Sequence, residues 1–334
     1  MLFRSAIRTP GAIVIANFGK HEVRGPKARE WLSHMLAGRL PKTGRVALSP
    51  MLLPDGRLYG DLTVTALGEE HFLLLGSGAA QEMHRRWFES HLPPAGVHYA
   101  NVSDRLHGFA LSGPRSRELL ARLTREDVSA EALRFRDVRR TFVGGVPVIL
   151  LRLSFSGELG YEIYCEPQFH LALFEQIERQ GADLGLRLYG ARALMSLRLE
   201  KQWGVWTLDY RPDFTAAQSG LDAFIDWNHS FIGREAALKE RDAGPTRRLV
   251  TLTVDVDQQD VVGDEAILCD SECVGHVTSG GYAHHFGQSV AFGYVSAAHA
   301  VPGRRLQVEI DGVMRQAIVQ GAPLYDPDGA RMRA

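Results

Sequence analysis

The sequence predicts an α+β protein whose C-terminal part is an all-β domain. Up to about residue 245, strand-like and helix-like segments alternate without the regular βαβ order of a parallel α/β fold. From residue 246, short alternating segments separated by glycine turns are typical of a small antiparallel barrel or sandwich. We therefore expect two parts, residues 1–245 and 246–334, joined by the linker "KERDAGPTRR".

The first half of residues 1–245 is predicted to form strands followed by helices. Residues 12–25 predict a strand, a turn and a second strand, and residues 26–40 predict a helix that opens with proline. Residues 46–67 predict a hairpin around the turn "PDG". Residues 69–78 then predict a strand, and residues 79–92 a helix.

The second half of the body repeats this pattern. Residues 107–123 predict a strand, a Gly-Pro turn and a helix, and strands follow over 135–157 and 160–166. Helices are expected over 169–185 and 190–201. The C-terminal strands are expected in "RRLVTLTVD", "EAILCDSECVGHVTSGGY", "VAFGYVS" and "RRLQVEIDGVMRQAIVQ".

Composition limits the classes of function. The 334 residues suffice for two or three domains, and 38 Lys+Arg against 39 Asp+Glu give no basic excess for nucleic acid. No run of about 18 apolar residues predicts a membrane span, and no leader pattern is seen, so we expect a cytoplasmic protein. Cys165, Cys269 and Cys273 lack the spacing of a metal site and are expected to be free thiols, mostly buried.

Two motifs resemble a dinucleotide-binding loop and a metal site, but each has a simpler interpretation. "GSGAAQ" at residues 76–81 partly matches a dinucleotide fingerprint, but Gln81 occupies the third glycine position, so a plain strand-to-helix turn is expected. His284 and His285 are adjacent, and adjacent strand residues point to opposite faces. We expect solvated loop imidazoles there and no metal ligands.

Two carboxylates in strand-like surroundings are candidate functional groups. Asp61 begins the apolar stretch "DLTVTAL", where it is either a hairpin residue or a partly buried carboxylate facing a cavity. Glu162 lies between Tyr161 and Ile163 in "SFSGELGYEIY", so its side chain is either solvated or holds a polar ligand in a cleft. The residues alone leave both alternatives open.

Four stretches in order resemble the glycine-cleavage T-protein (aminomethyltransferase) family. They are "SFSGELGYEIY", "GARALMSLRLEK", "SGLDAFIDWNHSFIGREAAL" and "GHVTSGGYAHHFGQSVAFGYV". The likeness covers nearly the whole chain and is greatest to the folate-binding domains of sarcosine and dimethylglycine dehydrogenases. It implies a three-domain cloverleaf with a central folate channel and an all-β C-terminal barrel.

The resemblance also implies site residues. It places Asp61 beside nitrogen 10 of tetrahydrofolate as the catalytic carboxylate, and Glu162 on the pterin, with Tyr161 in the same clamp. It further assigns folate contacts to Arg192, Met51 and Tyr325.

The function implied by the resemblance is a tetrahydrofolate-dependent transfer of a methylene or methyl group from a methylated amine-type donor. Oxidation of the donor would then fall to a separate flavoprotein subunit. The alternative is a folate-binding accessory protein of the iron–sulfur assembly type. Such proteins carry a short cysteine motif, which "SFIGREAAL" here lacks.

Overall fold

The computed structural model describes residues 9–256 and 259–334. Within these ranges the chain forms two open sheets, a closed barrel and seven α-helices. The mixed α/β fold with a C-terminal barrel is confirmed. Among the described residues, no helix is both long and apolar enough to cross a membrane.

The first sheet has five strands in the order β3-β4-β5-β2-β6, all antiparallel. Helices α1 and α2 cover one face, where Leu32 and Phe88 pack against Leu62 and Val64. The elements are β2 (Gly19–Arg24), α1 (Ala28–Met35), β3 (Val46–Leu52), β4 (Leu58–Gly68), β5 (His71–Gly76), α2 (Gln81–Ser90) and β6 (His98–Asn101). Helix α1 is shorter than the predicted 26–40, because the chain is extended from Leu36 onward.

The second sheet has six strands in the order β11-β1-β7-β10-β9-β8. Strands β1 and β11 are parallel, and the other pairs are antiparallel. Helices α3 and α4 cover one face of it. The elements are β1 (Gly11–Val14), β7 (His107–Ser112), α3 (Ser116–Leu123), β8 (Val138–Val143), β9 (Val146–Leu151), β10 (Gly160–Cys165), α4 (His170–Gly181) and β11 (Arg187–Leu188).

The faces of the two sheets that carry no helices pack against each other. Ile13 and Leu151 of the six-stranded sheet share one buried cluster with Leu73 and Leu75 of the five-stranded sheet. Side chains alternate along a strand, so every second residue of β4 and β10 enters this inter-sheet layer.

The C-terminal part is a closed barrel with the strand order β12-β15-β14-β13-β16-β17. Its strands are β12 (Arg247–Val254), β13 (Ala266–Cys269), β14 (Glu272–Ala283), β15 (Gln288–Ser296), β16 (Arg305–Ile310) and β17 (Val313–Gln320). Closure leaves no unpaired sheet edge. In chain order, α5 (Ala191–Glu200) and α6 (Arg234–Ala243) come after the strands of the two sheets and before the barrel, and α7 (Ala330–Arg333) follows the barrel. The expected boundary at residue 245 falls in the connection between α6 and β12 and stays a prediction.

Candidate functional site

Glu162 projects from β10 into the inter-sheet layer. Its neighbours across the sheet, Ala110 and Leu151, both contribute to the inter-sheet cluster. The hydroxyl of Tyr164 donates a hydrogen bond of 2.7 Å to Glu162 Oε2. Burial raises the pKa of Glu162, while this hydrogen bond and the charge of Lys20 oppose the rise. Glu162 therefore lies between the sheets and not on a solvated face. Of the two alternatives that the sequence left open, this position fits the one in which the carboxylate holds a polar ligand in a cleft.

Lys20 lies on β2, in the sheet that faces Glu162. Nothing in the sequence marked it as a site residue. Its side chain is fully buried, and Nζ donates to the carbonyl oxygens of Ala16 at 2.9 Å and Phe18 at 2.7 Å. Burial lowers the pKa of Lys20 to about 8, against the charges of Asp104 and Glu162. The ammonium group thus supports the segment before β2 and places a positive charge near Glu162.

A pocket adjoins Glu162 at the edge of the inter-sheet layer. The empty space between the atoms that border it is about 340 Å³, which includes space open to solvent. Besides Glu162 it is bordered by Phe18, Ser154, Ser156 and Tyr189. Among the described residues, no partner reaches the buried hydroxyl of Ser154. A buried hydroxyl without a partner is costly, so a polar ligand in this pocket would satisfy it.

Asp61 enters the same layer from the other sheet. It lies in β4 on the face of Thr63, opposite the face on which Leu62 and Val64 pack under the helices. Burial raises the pKa of Asp61 to about 7, and the negative charge of Asp209 adds to the rise. At neutral pH this carboxyl group therefore exchanges readily between its charged and neutral forms.

Strand register relates Asp61 to Lys20. Thr63 of β4 pairs with Leu75 of β5, and Leu75 pairs with Lys20 of β2. Two strand spacings separate Thr63 from Lys20, roughly 10 Å, and Asp61 lies two residues before Thr63 on the same face. Asp61, Lys20 and Glu162 therefore face one layer from its two walls.

Asp209 anchors the chain next to Asp61. Its Oδ2 accepts from Arg198 at 2.6 Å, and its Oδ1 accepts from the hydroxyls of Thr278 at 2.5 Å and Ser279 at 2.7 Å. Consecutive strand side chains normally diverge, but β14 carries a bulge at Thr278, and such a bulge re-aims side chains. The barrel thereby holds the chain at Asp209, next to Tyr210. Burial raises the pKa of the Tyr210 hydroxyl, and the negative charge of Asp61 raises it further.

The structure separates two predicted ligand contacts from the carboxylates. Met51 is fully buried and packs in the cluster under α1 and α2, on the face opposite Asp61. Tyr161 borders the pocket, but its ring belongs to the core under α3 and α4 and lies 5.0 Å from the Arg152 guanidinium carbon. Strand alternation explains both positions, because Met51 follows Pro50, the partner of Asp61, and Tyr161 directly precedes Glu162.

Arg192 and Tyr325 take different positions from the carboxylates. Arg192 is exposed at the second residue of α5, and no ion pair joins it to Glu162 among the described residues. The Tyr325 hydroxyl donates to the carboxylate of Glu158, in the loop that precedes β10. Arg192, Met51, Tyr161 and Tyr325 as folate contacts stay predictions.

The expectation of solvated imidazoles is wrong for His285. Its Nδ1 pairs with the buried carboxylate of Glu200, and its ring stacks on Tyr325 with centroids 4.0 Å apart. Its partner lies 85 residues away in the chain, so local sequence carried no signal of this contact. In "GSGAAQ", β5 passes through a single 3₁₀ turn into α2, which is the strand-to-helix turn that the sequence predicts.

Comparisons with known proteins agree with this architecture. The GCVT N-terminal domain matches residues 5–229, and the glycine cleavage T-protein C-terminal barrel domain matches residues 247–326. The crystal structure of the glycine cleavage system aminomethyltransferase T from Bartonella henselae superposes with a TM-score of 0.88 at 25% identity, covering 98% of this chain and 89% of that one.

Curated relatives extend the likeness in sequence. Mitochondrial dimethylglycine dehydrogenase from Homo sapiens is 34% identical over 324 residues, which are 96% of this chain but 37% of the human protein. The aminomethyltransferase of Moorella thermoacetica is 31% identical over 318 residues, 94% of this chain and 86% of that protein. The chain thus spans less than two fifths of the dehydrogenases it matches. It belongs to the glycine cleavage T-protein family.

Proposed function

We propose that this protein binds tetrahydrofolate in the inter-sheet layer and transfers a one-carbon unit to it from a methylated amine-type donor. The proposal rests on one observation above all: Glu162 borders a pocket between the two sheets, and Asp61 projects from the facing sheet into the same layer. Family membership and the names of the relatives, aminomethyltransferase and dimethylglycine dehydrogenase, support the same activity.

The residues at the pocket suit a pterin ring. The amino-pyrimidine edge of a pterin carries hydrogen-bond donors, and a carboxylate is the side chain that accepts two of them at once. Glu162 has this chemistry, and among the described residues only Tyr164 donates to it, through Oε2. Ser154 supplies a hydroxyl that has no hydrogen-bond partner within residues 9–256 and 259–334. Phe18 gives the pocket an aromatic wall against which a flat ring packs.

Asp61 carries the proton chemistry in this proposal. Tetrahydrofolate, when bound, supplies the nucleophilic nitrogens that accept the one-carbon unit. With a pKa of about 7, Asp61 accepts a proton from a nitrogen that becomes positive and releases it again near neutral pH. In its charged form, the carboxylate also stabilises positive charge that develops beside it. Both roles require the desolvated position that Asp61 occupies.

The donor and its oxidation are further parts of the proposal. We propose that an amine oxidised by a flavoprotein partner delivers the one-carbon unit, in keeping with relatives named as dehydrogenases. Transfer of an intact methyl group, which needs no oxidation, is the variant that product analysis separates. The accessory alternative has no support from the aligned relatives, which are named as enzymes. We also keep the division into residues 1–245 and 246–334 as a proposal.

Anaerobic calorimetry with tetrahydrofolate tests the proposal. We expect micromolar binding by the wild type and a loss of at least tenfold in Glu162→Ala, because the pterin donors are left without an acceptor. Glu22→Ala is the matched control, since Glu22 is also a strand glutamate but pairs with Arg24 and His71. Equal affinity of the Glu162→Ala protein and the wild type would place the pterin elsewhere. Absence of binding to the wild type would refute the function.

A further inference from the structure

Four side chains from distant parts of the chain meet behind the pocket, and we call them the C-terminal latch: Glu158, Glu200, His285 and Tyr325. The Tyr325 hydroxyl donates to the Glu158 carboxylate, and the Tyr325 ring stacks on His285. The backbone N–H of His285 donates to Glu200 Oε1 at 2.7 Å, and that of Tyr325 donates to the Glu200 carbonyl at 3.0 Å. The latch thus joins the loop before β10, the end of α5, a barrel turn and the C-terminal segment.

Burial makes the members of the latch depend on one another. The side chains of Glu158 and Glu200 are 4% and 1% exposed. A buried carboxylate is stable only with hydrogen-bond or charge partners. For Glu158 these are the Tyr325 hydroxyl and, at 3.7 Å, the largely exposed guanidinium group of Arg331. Loss of the Tyr325 hydroxyl would therefore leave Glu158 without its buried partner.

The loop that carries Glu158 also forms part of the pocket. Ser156 and Gly160, two residues to either side of Glu158, both border the pocket. Gly157 has a φ of +85°, and a Cβ there would lie 3.0 Å from Lys201 Cδ. At Gly160 a Cβ would lie 2.8 Å from the Leu153 carbonyl oxygen. The loop is thus tightly folded, and Glu158 is its side-chain attachment to the C-terminal segment, beside backbone attachments such as the Leu159 carbonyl, which accepts from Gly113 and Ser116.

We infer that Tyr325 and Glu158 are positioning residues that hold residues 154–160 in the shape required by the ligand pocket. This inference rests on the proposed function, because the pocket is the one assigned there to tetrahydrofolate. Tyr325 acts through Glu158 and the loop, so direct contact with the ligand is not required of it. His285 and Glu200 fix the Tyr325 ring from the barrel side, and through them the C-terminal part contributes to the shape of the pocket.

Tyr325→Phe removes only the hydroxyl and tests the inference. We expect the dissociation constant for tetrahydrofolate to rise about tenfold, because Glu158 loses its partner and the loop loosens. Amide hydrogen exchange in residues 154–160, measured without ligand, should become faster. Tyr99→Phe is the matched control: it removes a hydroxyl bonded to His21 at 2.8 Å, beside the cluster under α1 and α2. It should lower thermal stability and leave folate affinity unchanged.

Glu158→Gln provides a conservative rescue. Its side-chain carbonyl still accepts from Tyr325, so folate affinity should stay within about threefold of the wild type. If amide hydrogen exchange in residues 154–160 is unchanged in Tyr325→Phe, the proposed role of the latch is wrong, whatever the affinity of that variant for tetrahydrofolate. Wild-type affinity in that variant would overturn its effect on the pocket. A wild type that binds no folate refutes the proposed function instead, and the exchange measurement still decides whether the latch holds the loop.

Discussion

Asp61 and Leu62 are neighbours in β4, yet they face opposite environments. Leu62 packs with Phe88 and other apolar side chains under α1 and α2. Asp61 faces the second sheet, in the layer that also contains Lys20 and Glu162. The same difference separates Ile163, which lies in the core under α3 and α4, from its neighbour Glu162.

The two faces differ in their effect on stability. Apolar residues on the helix-covered faces stabilise the fold in the ordinary way. Charged groups in the inter-sheet layer lose hydration, which is unfavourable unless partners or a ligand compensate. Desolvated titratable groups with shifted pKa values are typical of functional sites. Substitutions on the two faces should therefore affect different properties.

The largest expected effect is on turnover in Asp61→Asn. Asparagine keeps the shape of the side chain but neither accepts the proton nor stabilises positive charge as a carboxylate does. We expect kcat to fall about a hundredfold or more, with affinity for tetrahydrofolate within about tenfold of the wild type. Folate products formed in single-turnover and steady-state assays provide the measurement. Full turnover would remove Asp61 from the chemistry.

Leu62→Ala is the control on the opposite face of the same strand. Leu62 is fully buried, so its truncation should lower the free energy of unfolding by about 2–5 kcal/mol. Chemical denaturation measures this loss. The kcat per folded molecule should be that of the wild type, because Leu62 does not face the inter-sheet layer. A hundredfold loss of kcat in this variant would show that the two faces are not functionally separate.

A second prediction concerns stability and pH. The pKa of Asp61 is about 7 in the folded protein against a usual value of 3.8, so the folded state keeps a proton that the unfolded chain releases. Its contribution to stability is fully present below pH 3.8 and is lost as pH rises through 7. Asparagine does not titrate, so Asp61→Asn should gain about 1–3 kcal/mol relative to the wild type between pH 5 and pH 8.

Denaturant unfolding at the two pH values measures this gain. Asp55→Asn is a suitable control, because Asp55 is exposed and pairs with Arg57, which lowers its pKa. Its titration lies below pH 5, so its difference from the wild type should be the same at pH 5 and pH 8. A gain for Asp61→Asn that is also the same at both pH values would contradict the desolvated position of Asp61.

Much of the fold was accessible from the sequence. Period-two alternation and glycine turns predicted the barrel, and β4 and β10 were both recognised as strands. Alternation separates two faces of a strand, but it does not tell which face a helix covers and which face a second sheet covers. The sequence therefore did not show that Met51 and Tyr161 lie on the opposite faces of their strands from Asp61 and Glu162.

Contacts between distant residues were not accessible in this way. In "GKHEVRG", Lys20 has no local feature that distinguishes it from a solvated strand lysine. Burial lowers its pKa, and the charges that oppose this effect come from Asp104, in another loop, and from Glu162, on the facing sheet. His285 is similar, because its partner Glu200 belongs to α5. Buried polar groups depend on tertiary neighbours, so a pattern in one segment cannot specify them.

The smallest expected effects, on folate affinity and on stability, come from substitutions at two further neighbours, Tyr164 and Ile163. Tyr164→Phe removes the donor to Glu162, which raises the pKa of Glu162 further, so affinity for tetrahydrofolate should fall about three- to tenfold. The loss should grow as the pH falls, because the pKa of Glu162 is raised and its protonated form accepts fewer hydrogen bonds. Ile163→Val should cost about 0.5–1.5 kcal/mol of stability and leave affinity unchanged. Calorimetry on both variants decides the matter: equal losses of affinity would mean that binding follows stability, and the distinction between the two faces would fail.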